Sequence, residues 1–276
     1  MAGRRRHRPW PRFFAGKPCN LGRAGLWSGA MLDPSSRPAP PARQPIFNIP
    51  AVIAGLIAVI LAIQAIQSFV LSADAYVRMI LEFAFIPARE TAPDTLPALV
   101  PAGAARLWTF VTYALLHGGW AHVGFNVLWL AAFGSPLAWR FGTSRFLLFS
   151  AAGAAAGALF HLGLFPHDET PLVGASAAIS AHMAGAARFV FAAGGPMWRP
   201  AGTAAYRIPA PPLATVLRDR RVFVFLAAWF GLNIIFGIGT ISQGIASGAV
   251  AWDAHIGGFL AGLLLFPLFD PVRPGQ

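Results

Sequence analysis

The sequence predicts an all-α, polytopic membrane protein: six transmembrane helices packed as a bundle, with a long membrane-associated first loop. Three observations lead there. Only 11% of the 276 residues are charged and 56% are hydrophobic, against about 25% charged in an average soluble domain. Several apolar runs approach the roughly 20 residues needed to cross a bilayer as a helix. Basic residues are also unevenly spread: nine of the 21 Lys and Arg lie in the first 45 residues and six more between Arg188 and Arg221. Basic clusters between apolar spans follow the positive-inside rule, so the net charge of +11 points to membrane topology and not to nucleic acid.

In chain order, residues 1–45 form a basic tail rich in Arg, Pro, Gly and Ser, expected to be disordered, cytoplasmic and attracted to anionic lipid. No apolar stretch closely follows Arg4-Arg5-Arg6, so a cleaved signal peptide is not expected. A membrane domain is expected over 46–269. Its first span runs from Ile46 to Leu71, with Gln64 and Gln67 on one face. Residues 72–118 make a long loop, and Leu107, Trp108, Phe110 and Tyr113 suggest a piece lying in the membrane interface. Further spans are expected at 120–139, 146–165, 176–192, 222–241 and 252–269. The third is dense in Ala and Gly, which let helix backbones approach closely. Residues 270–276 form a short C-terminal tail.

Six spans put both termini on one side, together with Arg140, Arg145, the basic loop 194–221 and Arg273. The loops 166–175 and 242–251 on the other side hold no Lys or Arg. The termini are therefore expected in the cytoplasm, in a multi-pass protein of the cell inner (plasma) membrane. Cys19 is the only cysteine, which rules out an intramolecular disulfide. No pair of acids lies within the spans, which argues against intramembrane aspartyl chemistry.

This topology puts four polar residues at one depth, a little below the outer surface. His122 and Asn126, four apart, share a face of the second span. Ser176 opens the fourth span and His255 lies near the outer end of the sixth. Ionisable residues in spans are costly and point to function. A serine hydroxyl needs a base to take its proton, and histidine suits that role at neutral pH. An asparagine amide, a histidine N–H and a backbone N–H are the donors that a developing oxyanion requires. Asp253, two positions from His255, falls on roughly the opposite face, so a Ser–His dyad describes the set better than a triad. Gly258 and Gly262 form a small-residue ridge one turn after His255. Ala177, Ala181, Ala184 and Gly185 on the fourth span are its expected partners, a packing that brings His255 to Ser176. His117 reads as an anchor of the first loop. His161 and His182 read as buried, hydrogen-bonded residues, and His167 as a loop residue. His117 and His122 share a helical face poorly, and no cysteine or acid joins them, so no metal is expected.

Three stretches resemble the rhomboid family of intramembrane serine proteases: Gly174-Ala175-Ser176-Ala177, Ala254-His255-Ile256-Gly257-Gly258 with Gly262, and His117 through Asn126 with the spacing H-x4-H-x3-N. They occur in the family's order. The resemblance implies a six-helix bundle with Ser176 as nucleophile and His255 as general base and acid. His122, Asn126 and the Ser176 backbone N–H form the oxyanion hole. It also implies gating by the fifth span, where Trp229 and Asn233 share a face, and by the loop 242–251. Substrates are single-span membrane proteins, cut in or near the lipid bilayer without metal or cofactor. The sequence departs from the family pattern at Ala177, where glycine is frequent and where a methyl group is expected to narrow the site. It departs also at Ser180, where an aromatic residue often stacks on the histidine. Trp108-Thr109 replaces a frequent Trp-Arg pair, and Ala138 lies near the place of a common glutamate. Two other readings make different demands. A non-catalytic relative that binds or delivers membrane clients would lack the serine or the histidine. A transporter would carry polar residues along a continuous path.

Overall fold

A computed structural model describes residues 49–95, 103–197, 203–237 and 251–272. They belong to one compact unit, Phe47–Gln276. The basic tail, residues 242–250 of the expected gating loop, the Asn233 side chain and residues 273–276 lie outside the described residues.

The described chain is helical, and its β pairing is a single antiparallel bridge between Phe85 and Leu172. Helix α1, Ala51–Phe69, buries Gln64 and Gln67 on its inward face. The long first loop is built from short helices: α2, Ala73–Phe83, α3, Pro87–Thr91, and α4, Ala105–Thr112. The second span is continuous from Trp120 to Phe141. It consists of α5, Trp120–Trp129, a π turn, Leu130–Gly134, and α6, Ser135–Phe141. Pro136 explains the π turn. Its ring has no N–H and crowds the carbonyl one turn earlier, so the ladder widens there. The Ser135 hydroxyl donates to the Ala131 carbonyl at 2.6 Å and satisfies part of what the ladder loses.

Helix α7, Thr143–Leu164, brings its small residues against α8, Ser176–Ala187, and both pack on α11, Trp252–Phe269. Between α8 and α11 run α9, Leu213–Arg218, and α10, Arg220–Gly237. Every residue of α8 after Ser176 is buried. The helix that opens with the serine is thus the enclosed centre of the bundle.

Four described helices are long and apolar enough to cross a membrane: Ala51–Phe69, Trp120–Phe141, Thr143–Leu164 and Trp252–Phe269. A multi-pass membrane bundle follows. These lengths do not establish the expected six spans. Helix α8 has 12 residues and is about 18 Å long at 1.5 Å per residue, short of a hydrocarbon core of about 30 Å. Sequence hydropathy carried this span to Ala192, but the helix gives way to turns at Arg188, and Gly194 takes a φ of +78°. Helix α10 is described as far as Gly237.

At the end of the bundle away from Ser176, Arg140 is buried. Its guanidinium forms a two-point pair with Asp270, both bonds 2.8 Å, and donates to the carbonyls of Tyr206 and Ile208 at 2.8 and 2.9 Å. It also lies 4.5 Å from the Phe189 ring centroid. Arg188 fills a different need nearby. Pro267 inside α11 leaves the Leu263 carbonyl without its helical donor, and Arg188 Nη1 donates to that oxygen at 3.2 Å.

Candidate active site

Ser176 is delivered by a segment that the first loop holds from the side. Phe85 and Leu172 exchange backbone bonds of 3.3 and 2.7 Å, and the Ala88 N–H donates to the Asp168 carbonyl at 3.0 Å. The Thr91 hydroxyl donates to the Pro166 carbonyl. Closest to the serine, the Gly174 N–H donates to the Tyr113 carbonyl at 3.0 Å. The Tyr113 hydroxyl in turn donates to Ala154 of α7 at 2.8 Å. The loop itself is pinned by Arg89, buried, which donates to the carbonyls of Leu81 and Ala84. Trp108 Nε1 donates to Glu82 at 3.0 Å, and Arg106 pairs with Glu90 at 3.0 Å.

Helix α8 starts at Ser176, so the backbone N–H groups of its first turn have no partner within the helix. The first bond of the ladder runs from the Ile179 N–H to the Ala175 carbonyl. His117 receives the Ala175 N–H on Nε2 at 3.5 Å. Burial, with His122 beside it, pushes the His117 imidazole down to about 3, so it is neutral and able to accept. This is the anchoring role expected for His117.

The hydroxyl of Ser176 lies 2.7 Å from His255 Nε2, and both residues are half-buried. The approach depends on missing side chains. A Cβ on Gly258 would overlap the Ala177 carbonyl, and one on Gly262 would overlap the Ala181 carbonyl. The backbones of α8 and α11 touch at these two levels, one turn apart, and carry His255 to the serine. Gly185 faces elsewhere, towards Leu137 and Phe149.

His122 packs against Gly174, two residues before the serine. A Cβ on Gly174 would lie 2.7 Å from His122 Nε2 and 3.8 Å from Ser176 Oγ, and Gly174 has a φ of +121°. Glycine is therefore needed there on two counts, conformation and space. His122 Nδ1 accepts the Gly118 N–H at 3.4 Å, which leaves Nε2 as the protonated donor, next to Ser176. Asn126, one turn on, donates one amide N–H to the His122 carbonyl at 2.9 Å. Asp253 turns away from the serine: its carboxylate meets His161 Nδ1 at 2.6 Å, and His161 Nε2 is 3.8 Å from Asp168. His182 is buried against Ser150 at 2.8 Å and stacks on Phe146.

The family described as Rhomboid domain matches residues 104–270, more than half of the chain. The chain belongs to the rhomboid family. Among relatives, human Rhomboid-related protein 3 is 38% identical over 85 residues, which cover 29% of this chain and 20% of that protein.

Three of the departures from the rhomboid pattern, at Ala177, Ser180 and Thr109, have physical counterparts here. The Ala177 methyl does not narrow the site. It points to Gly157 of α7, where an added Cβ would lie 2.5 Å from it, so the residue that makes room for the methyl is on the neighbouring helix. Ser180 donates its hydroxyl to the Ser176 carbonyl at 2.7 Å. The aromatic neighbour of His255 is Trp229 of α10, with ring centroids 6.4 Å apart, and Trp229 stacks on Phe259. Arg89 and Arg106 supply the loop's cationic anchors that Thr109 lacks. Tyr113, expected in the membrane interface, is instead buried with its hydroxyl on α7, and sequence reasoning missed the roles of Arg89 and Gly157. Of these only Gly157, inside the Ala/Gly run of the third span, carried a visible signal.

Proposed function

We propose that this rhomboid-family chain is an intramembrane serine endopeptidase. Ser176 is its nucleophile and His255 its general base and acid. The 2.7 Å contact between Ser176 Oγ and His255 Nε2 carries this reading. Serine is weak as a nucleophile until its proton has somewhere to go, and this contact, with His122 and Asn126 nearby, suits acyl transfer. Ser176 Oγ attacks the peptide carbonyl as its proton passes to His255. The C–N bond then breaks as His255 returns that proton to the leaving amine. Water enters by the same route, and the acyl–serine bond is hydrolysed.

The oxyanion would be met by the His122 Nε2–H, by the Asn126 amide and by the backbone N–H of Ser176 at the positive end of α8. The His122 tautomer set by Gly118 supports that role. No metal or cofactor takes part in this scheme. The substrates are single-span membrane proteins entering from the bilayer, and both termini face the cytoplasm of the inner (plasma) membrane, following the placement of the basic loops.

The test is cleavage of a single-span substrate by purified protein in lipid. Ser176→Ala and His255→Ala should each abolish it, since dyad members act as a unit. Cleavage that persists in Ser176→Ala would end the proposal. A wild-type chain that retains the client intact would favour a non-catalytic role in binding or delivery.

A further inference from the structure

A cavity of about 710 Å³ lies between the π turn, the end of α8 and the start of α10, away from Ser176. Its walls are almost wholly apolar, with Phe133, Met183, Val190 and Phe225 among them. The Phe225 ring stands between those of Phe133 and Phe191, at 5.6 Å from each centroid. Met197 and Val224 on its rim are exposed, so it opens sideways onto the bilayer.

One end is different. Arg220 and Arg221 line the cavity where α10 begins. Arg221 is fixed by Asp219, with bonds of 3.0 and 2.6 Å, and by the Phe191 carbonyl at 3.3 Å. Arg220 is exposed and has no acid paired with it among the described residues. Two arginines and one aspartate thus stand where α10 begins, and the aspartate is taken by Arg221.

We propose that this cavity binds one anionic phospholipid, with an acyl chain in the aromatic slot and the headgroup phosphate on Arg220. Apolar cavities do not hold water, and one open to the hydrocarbon fills with lipid. It runs from Met183 on α8 to Val190 and Phe191 in the turns that follow that helix. The arginines at one end favour an anionic headgroup over an apolar substrate helix. A basic pocket between spans on the cytoplasmic side is suited to an anionic headgroup. The inference rests on the proposed orientation for its choice of leaflet and is independent of the chemistry at Ser176.

The test is lipid retention by the purified full chain, read by native mass spectrometry. The probes are dioleoylphosphatidylglycerol and dioleoylphosphatidylcholine. The anionic lipid should be preferred about fivefold, as expected for one arginine at the headgroup. Arg220→Gln should remove that preference, while Arg145→Gln, at an exposed arginine on another helix, should keep it. Ala132→Trp, which fills the slot, should reduce retention of both lipids, and thermal unfolding within a few degrees of wild type will show that it has folded. Equal retention of the two lipids would overturn the site, as would equal losses in Arg220→Gln and Arg145→Gln. Glycerol phosphate competing as well as the intact lipid would also overturn it in favour of a soluble phosphate ligand. Retention is read equally well in Ser176→Ala, so a failed lipid site and a failed protease remain distinguishable.

Discussion

The two ends of the bundle handle polar groups in opposite ways. At the Ser176 end, Ser176 and His255 are half-buried, and glycines clear the space that brings them together. His255 is brought up to the serine with a ring nitrogen towards it, and His122 Nε2 lies against Gly174, two residues before the serine. At the Arg140 end, both arginines are buried and held by partners. Arg140 is shared between Asp270 and two carbonyls, and Arg188 completes a helix that Pro267 interrupts. The first arrangement keeps reactive groups accessible, and the second closes the structure. Substitutions should separate accordingly.

The largest effect is expected at the serine end and in rate alone. Ser176→Ala or His255→Ala should lower cleavage by about 10⁴-fold or more. Thermal unfolding should stay within a few degrees of wild type. A large loss of stability in Ser176→Ala would blur the contrast.

At the other end the pattern should invert. Removing one partner of a buried ion pair costs about 3–5 kcal/mol, so Arg140→Ala or Asp270→Ala should unfold at markedly lower denaturant. The fraction still folded should cleave within about twofold of wild type. The double variant Arg140→Met/Asp270→Leu should recover most of the lost stability. If it does not, the aromatic contacts of Arg140 contribute more than its charge.

Gly258→Ala tests where the two behaviours meet. Overpacking costs about 1–3 kcal/mol, but the displacement falls on the α8–α11 contact that sets the Ser176–His255 distance. Cleavage should fall by more than the stability loss alone predicts. Rate and stability falling in proportion would mean that the helices shift without opening the contact. The smallest change is expected for Ser180→Ala. Its hydroxyl bonds back to its own helix, so the cost should be within about 1 kcal/mol, with cleavage changed less than about threefold.

Much of the Ser176 end could be read from the sequence because its signals are local. His122 and Asn126 are four apart, His255 and Gly258 are three apart, and the topology gave them a common depth. The long apolar runs predicted the membrane bundle and its longest helices. What remained hidden depends on distant partners. Arg140 looks like an ordinary basic residue at a span end, and its partner is 130 positions away. Arg89 looks like a loop charge until its guanidinium folds back onto the carbonyls of Leu81 and Ala84. The end of α8 could not be found by hydropathy, because the turns that follow are as apolar as the helix. The role of Gly157 required knowing that the Ala177 methyl points towards α7.

The bond from Arg188 to the Leu263 carbonyl has a consequence for how the chain can vary. Pro267 opens a vacancy in α11, and Arg188, nearly eighty positions earlier, fills it. Replacing Pro267 by leucine would restore the backbone donor and make the arginine redundant. Losing the arginine first would strand a carbonyl at membrane depth. The two positions are thus tied in order as well as in identity: related sequences can shed this arginine easily only after the proline is gone.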